Sequence, residues 1–202
     1  MTCKDSITQQ TVRAKRSERI NSPFTPQITS AYKNCSFHRH LDVNLAQNLI
    51  LALFDVQRED GFIPHMAKPD YVSDITQPPV IAWGALGVYE KSGDKSFLET
   101  VFKNNKAFLY WCRDNRRKSE MELYSWHTNH ELNNRCDESG MDNSPRFDTE
   151  SDLYAIDFSC FMANEARCMK KIAEELGDSE NAEFFGVLQR PEAVLGLGSV
   201  HG

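Results

Sequence analysis

The chain has 202 residues, 40% of them hydrophobic and 10% aromatic, which is enough apolar material for a packed globular domain. Its formal charge of -6 at pH 7 provides no basic face of the kind that draws a phosphate backbone, so no nucleic-acid partner is expected. The longest uninterrupted apolar run, Leu49 to Phe54, falls far short of the roughly 18 residues of a membrane span, and no membrane partner is expected either.

Residues 1–36 are rich in Ser, Thr, Gln and basic side chains and are broken by Pro23 and Pro26, which predicts a disordered leader. Such a composition also suits a transit peptide, but a solvated tail is the plainer reading. The N-terminus has no apolar core or small-residue cleavage site of the kind a secretory signal needs. The six cysteines, Cys3, Cys35, Cys112, Cys136, Cys160 and Cys168, form no CxxC pair, and several fall among apolar helix positions. They read as free packing thiols, which favours a reducing compartment and makes the cytoplasm the expected location. The Asn34-Cys35-Ser36 sequon would matter only in a secreted protein.

After Asp42, a capping residue, Leu45, Leu49, Leu53 and Val56 form one helical stripe that is expected to end at Gly61. A second helix is expected from Pro78-Pro79 to Gly93; it is apolar all round until Glu90 and hence buried. Asp94 caps a third, with Phe97, Val101, Phe108 and Cys112 on its inner face and Lys, Asn and Arg outside. An irregular stretch from about Ser119 to Thr149 precedes a fourth, where Met162, Ala166, Met169, Ala173 and Leu176 recur at helical spacing up to Gly177. Asp178-Ser179 starts a fifth. No stretch reads as a strand ladder, so the class is all-α, with antiparallel helical pairs over residues 37–190. Residues 191–202 form an irregular, glycine-rich tail such as a truncation would leave.

The irregular stretch carries the chemistry. It contains Trp126-His127-Thr128-Asn129-His130-Glu131 and then Asp137-Glu138-Ser139-Gly140-Met141-Asp142-Asn143-Ser144-Pro145-Arg146-Phe147-Asp148. Carboxylates and amides take paired hydrogen bonds from sugar hydroxyls, and aromatic faces stack on the C–H face of a sugar ring. Glycoside hydrolysis further needs one carboxylic acid for the leaving oxygen and a second carboxylate across the anomeric carbon. Asp137, Glu138, Asp142 and Asp148 are the local candidates. On composition alone an ordinary turn of satisfied loop residues is the better reading, since Asp-Asn-Ser-Pro is common in turns. His127, His130 and Glu131 do not make the HExxH arrangement, so no metal is expected. Ser139 lacks a nucleophile elbow. Trp83, Phe102 and Trp111 read as core rather than as sugar platforms.

Four blocks between Leu41 and Phe185 raise the odds: Gln57-Arg58-Glu59-Asp60-Gly61-Phe62-Ile63-Pro64-His65; Gln77-Pro78-Pro79; Tyr89-Glu90 with Gly93-Asp94; and Glu138-Ser139-Gly140-Met141-Asp142-Asn143-Ser144-Pro145-Arg146, the most specific. Together they resemble glycoside hydrolase family sixty-three and its relatives, the mannosyl-oligosaccharide glucosidases and mannosylglycerate or glucosylglycerate hydrolases. The resemblance implies an (α/α)6 toroid of six helical hairpins, about the first half of which is present, and cofactor-free inverting hydrolysis of an α-glucosidic or α-mannosidic bond. It implies that Asp142 is the general acid, with Asn143 and Arg146 beside it in the substrate site. Gln77 would touch sugar or aglycone, and Glu138 and Trp126 would stand in the pocket wall.

Three departures accompany it. Asp137 stands where the family usually has a tryptophan, and Lys33-Asn34-Cys35 stands where a Trp-Asp motif is expected. The family's general base would lie beyond Gly202. Because inversion needs two carboxyl groups about 6.5–9.5 Å apart, residues 1–202 alone are expected to be inactive and to self-associate through uncovered helix faces. The rival reading is a non-catalytic helical module that binds carbohydrate or a protein partner.

Overall fold

A computed structural model describes residues 39–68, 70–117, 123–127, 137–141, 144–147 and 154–189. Among them are five helices, α1 (Val43–Asp55), α2 (Ile81–Ser92), α3 (Lys95–Arg116), α4 (Ile156–Leu176) and α5 (Ser179–Leu188). A two-stranded hairpin pairs β1 (Ala67–Lys68) with β2 (Tyr71–Val72) in antiparallel register, Ala67 opposite Val72, a small addition to the all-helical expectation. No helix among the described residues is long and apolar enough to cross a membrane. The leader and tail expected at 1–36 and 191–202 lie outside the described residues.

Three helix starts and two helix ends have local causes. Asp42, Asp94 and Asp178 cap α1, α3 and α5 by accepting from backbone N–H groups of the first turn. Gly93 (φ 64) and Gly177 (φ 76) end α2 and α4 in the left-handed conformation that closes a helix. The turns after α2 and α4 are therefore tight, which folds α2 against α3 and α4 against α5 as antiparallel hairpins.

Alpha-2 and α4 lie side by side and parallel: Glu165 of α4 bonds the start of α2, while Tyr89 near the end of α2 donates to Glu175 near the end of α4. Alpha-3 packs on both, α1 packs on α2 and α3, and α5 packs on α4. The result is a layer of inner helices, α2 and α4, backed by α1, α3 and α5. This is the arrangement of a partial (α/α) toroid. The long connections, α1 to α2 and α3 to α4, both lie at the end opposite the tight turns.

Two expected boundaries move. Alpha-1 stops at Asp55 rather than running to Gly61, because the Gln57 amide donates to Gly61 O (2.8 Å) and Asn104 O (3.0 Å), fastening a turn onto α3. In that turn Gly61 N–H donates to Arg58 O and Arg58 N–H to Phe62 O. Gly61 has φ 95, and a Cβ there would stand 2.4 Å from the Ala107 carbonyl oxygen. Alpha-2 starts at Ile81, beyond the two prolines, and its capping residue Val80 supplies no side-chain bond. The buried Glu165 takes that role from α4, accepting from Ala82 N–H (2.8 Å), Trp83 N–H (3.1 Å) and the Asn105 amide of α3 (2.9 Å). One carboxylate thus joins three helices.

The core continues through Phe62, Val88, Leu98, Phe108, Met169, Ile172 and Phe185, with Trp111 edge-on to Phe62 at 4.7 Å. Cys112 and Cys168 are buried free thiols, pushed up by burial, Cys168 to about 11, whereas Cys160 is exposed. Cys3, Cys35 and Cys136 lie outside the described residues.

Two outcomes are expected. Gly61→Ala should destabilise the domain by at least about 2 kcal/mol, from positive φ and an unyielding backbone neighbour, as read in urea midpoints. Burial pushes the Glu165 carboxyl above the usual value of 4.5, although its three donors pull the other way. A raised carboxyl stabilises the fold below 4.5 and withdraws that stability as pH rises through the raised value. Glu165→Gln should flatten that slope in a pH series of denaturation curves and, by turning an amide NH2 toward a helix N-terminus, cost about 1–3 kcal/mol at neutral pH.

Candidate active site

The two long connections meet on Glu138. Its carboxylate is wholly buried and accepts four hydrogen bonds, so both oxygens are doubly occupied. Oε1 accepts from Thr76 N–H (2.9 Å) and Arg116 Nη2 (2.8 Å); Oε2 accepts from Arg116 Nε (3.0 Å) and His127 N–H (2.7 Å). Arg116 is the last residue of α3, with its side chain only 13% exposed and its guanidinium over the Trp111 ring at 4.7 Å. A forked pair of this kind matches guanidinium to carboxylate geometrically and leaves neither group uncompensated. Glu138 therefore fastens the two connections together, and each of its oxygens already accepts two hydrogen bonds.

Around it, the α1–α2 connection closes on itself. Thr76 Oγ1 donates to Ile63 O (2.7 Å), His65 N–H donates to Ile75 O (2.7 Å), and the Gln77 amide donates to His65 O (3.2 Å). Gln77 is half-buried and lines a small apolar crevice with Thr76, Pro78, Ile81 and Phe108. The α3–α4 connection is pinned at both ends: Ser125 N–H donates to Arg116 O, and Ala155 N–H donates to Tyr124 O.

Trp126 is 1% exposed. Its ring stacks on Phe158 with centroids 4.2 Å apart, and its Nε1 donates to Asp157 Oδ1 (3.2 Å). It lies in the layer behind the surface, with its ring face covered by Phe158. Arg146 is exposed and pairs with Asp157 Oδ2 at 2.6 Å, with its guanidinium over Phe147 at 4.5 Å. Asp157 stands in the first turn of α4, where the helix dipole favours a carboxylate. Asp142 and Asn143 lie outside the described residues, as does the side chain of Asp137, whereas the flanking Met141 O and Ser144 N–H share a 2.9 Å hydrogen bond. The block that carries Asp142 is thus fastened at Glu138, four residues before it, and at Arg146, four residues after it. Among the described residues no group of three or more His, Cys, Asp or Glu side chains converges to hold a metal ion.

The structure corrects one aromatic assignment. Phe102 and Trp111 belong to the core, but Trp83 is 54% exposed. Helical periodicity marked all of α2 as buried, yet its neighbours cover only three sides. Thr76, Arg116, Asp157 and Glu165 are not among the residues expected at the site from the sequence. A signal existed for Glu165, a carboxylate at i+3 from Met162 and i−4 from Met169 on an apolar stripe, a position where a charge needs a buried partner. No comparable signal marks Thr76 or Arg116.

This geometry can be set beside known proteins. The family of the mannosylglycerate hydrolase MGH1-like glycoside hydrolase domain matches residues 30–190. The chain belongs to this family. It is similar to alpha-glucosidase 2 of Arabidopsis thaliana, 32% identical over 178 residues, which cover 71% of this chain and 23% of that protein. An uncharacterized protein of Borreliella burgdorferi is 30% identical over 100 residues, 50% of this chain and 19% of that one. The chain thus spans about a fifth of the length of these relatives. In fold it is similar to a family sixty-three mannosylglycerate hydrolase from Thermus thermophilus, solved with glucose, with a TM-score of 0.64 and 20% identity over 90% of this chain and 64% of that chain. At that identity the likeness speaks for the partial toroid alone. Family membership places the chain among glycoside hydrolases, as the motif blocks implied.

If Glu138 is a fastening, Glu138→Gln should act on stability: its NH2 group would face N–H donors and leave Arg116 half-paired, a loss of about 3 kcal/mol in urea unfolding.

Proposed function

We propose that the chain forms the acid-bearing half of the catalytic domain of an inverting α-glycosidase that hydrolyses an α-glucosidic or α-mannosidic bond. The observation that carries this reading is the double fastening of the Glu138–Arg146 block at the mouth of the inner helices, within a domain of the matched family. In the reading, Asp142 protonates the leaving oxygen, with Asn143 and Gln77 meeting the sugar or aglycone and Arg146, Glu138 and Trp126 shaping the wall. Inversion requires a second carboxylate on the far side of a bound water, roughly 6.5–9.5 Å away. No residue after Asp178 resembles that base, so a polypeptide of residues 1–202 by itself is inactive in this reading. Exposed apolar positions such as Ile156 and Val187 are where its self-association would occur. The free thiols Cys112, Cys160 and Cys168 support a reducing, cytoplasmic setting.

The substrate classes follow the relatives' names, an alpha-glucosidase and a mannosylglycerate hydrolase. The test is hydrolysis of α-glucosyl- and α-mannosylglycerate and of α-linked glucose oligosaccharides by the full-length protein, followed by proton NMR. The β-anomer is expected first. Asp142→Asn should lower kcat by about 10²–10⁴-fold and leave ligand binding in place. Sugar or partner binding indifferent to Asp142→Asn, with no hydrolysis by the full-length protein, would assign the chain to the non-catalytic module instead.

A further inference from the structure

Two pairs of arginine and carboxylate flank the segment 138–146, and one short stretch of chain joins them. Arg116 with Glu138 holds the first end, and Arg146 with Asp157 holds the second. Residues 124–127 lie across the end of α3 and the start of α4. Ser125 N–H donates to Arg116 O (2.8 Å), and Tyr124 O accepts from Ala155 N–H (2.7 Å). The next two residues reach one pair each. Trp126 Nε1 donates to Asp157 Oδ1 (3.2 Å), and His127 N–H donates to Glu138 Oε2 (2.7 Å). Adjacent residues thus tie the two ends of the segment to each other as well as to the helices.

Asp157 does more in this ring than its own helix asks of it. A carboxylate in a first turn is already favoured by the helix dipole and by a backbone N–H, here that of Phe158 at 3.1 Å. Oδ1 also takes Trp126, and Oδ2 accepts from Arg146 at 2.6 Å. The Arg146 and Asp157 side chains are 37% and 29% exposed, and an ion pair so open to water adds little to global stability. It does fix a direction, because Trp126 is itself stacked on Phe158 at 4.2 Å. Two bonds inside the segment carry the constraint inward: Met141 N–H to Ser139 Oγ (3.0 Å) and Ser144 N–H to Met141 O (2.9 Å).

We infer that Asp157 is the positioning residue of the segment 138–146, tying its Arg146 end to its Glu138 end through Trp126 and His127. Its effect on rate rests on the glycosidase reading, in which that segment carries the acid. Misplacing a reacting group by about 1 Å costs about 100-fold.

The test uses the full-length protein with Asp157→Asn, Asp157→Glu, Arg146→Gln and Trp126→Phe, the last of which keeps a ring on Phe158 without the N–H donor. Hydrogen-exchange mass spectrometry reads the peptide over residues 138–147, and hydrolysis of α-glucosyl- and α-mannosylglycerate gives kcat and KM. Asp157→Asn should speed exchange in that peptide about tenfold and leave the peptides of α2 unchanged. It should lower kcat about 10–100-fold with KM and Tm little changed, and Asp157→Glu should recover part of the loss. Trp126→Phe should act the same way in smaller measure. Adding Asp157→Asn to Arg146→Gln should cost no more than either alone, since both cut one pair. Faster exchange in Asp157→Asn, with neither glycoside hydrolysed by the wild type, would leave the tie standing and sink the glycosidase reading. Hydrolysis with kcat unchanged in Asp157→Asn, unchanged exchange over 138–147, or a fall in Tm that accounts for the lost activity would overturn the positioning role.

Discussion

The site depends on a buried carboxylate with no spare oxygen. Bringing the Glu138 charge out of water would cost several kcal/mol, and only a full set of donors offsets it. Those donors come from three places: the strap at Thr76, the end of α3 at Arg116 and the segment at His127. Loss of Arg116 would leave the carboxylate buried and unpaired, and loss of Thr76 or His127 would leave one oxygen short of a donor. Two connections that would otherwise be independent loops are thereby held as one rigid rim.

A second buried carboxylate does the corresponding work one layer deeper. Prolines before α2 make a sharp entry, but Val80 has no side-chain oxygen to receive the first-turn N–H groups. Glu165 receives them from α4, and Asn105 of α3 completes its shell. The inner pair is consequently registered by a polar contact inside an apolar layer. Burial raises the Glu165 carboxyl while the donors oppose it, so the contact couples helix registry to protonation. Both fastenings use glutamate reach rather than local capping, which lets residues more than 60 positions apart set a loop's geometry.

In the proposed reading, these fastenings serve acid catalysis. Acid catalysis needs a carboxyl held in one place relative to the sugar, and misplacement by about 1 Å is costly. On either side of Asp142 the chain forms single 3-10 turns, Asp137–Ser139 and Pro145–Phe147, which are too short to fix a position by themselves. Arg116 holds Glu138 from the end of α3, and Asp157 holds Arg146 from the first turn of α4. Trp126 is buried against Phe158, while Trp83 is half-exposed. The two tryptophans are thus divided between packing and surface.

Local signals were sufficient wherever a helix was bounded by its own residues. Asp42, Asp94 and Asp178 announced the starts, Gly93 and Gly177 the stops, and the apolar stripe of Met162, Ala166, Met169 and Ala173 the buried face, because caps and periodicity act within one or two turns. The Glu138–Arg146 block was legible as a specific string. What the string could not convey was which carboxylates would be consumed by the fold. Glu138 and Trp126 looked like groups for a ligand, and Trp83 looked like core, because a one-dimensional pattern carries residue types and spacing but no partners. Burial of Glu138 follows from Arg116, 22 positions away, and exposure of Trp83 follows from where α1, α3 and α4 leave a side of α2 open. Those outcomes belong to long-range packing, whose partners are chosen only when the helices assemble.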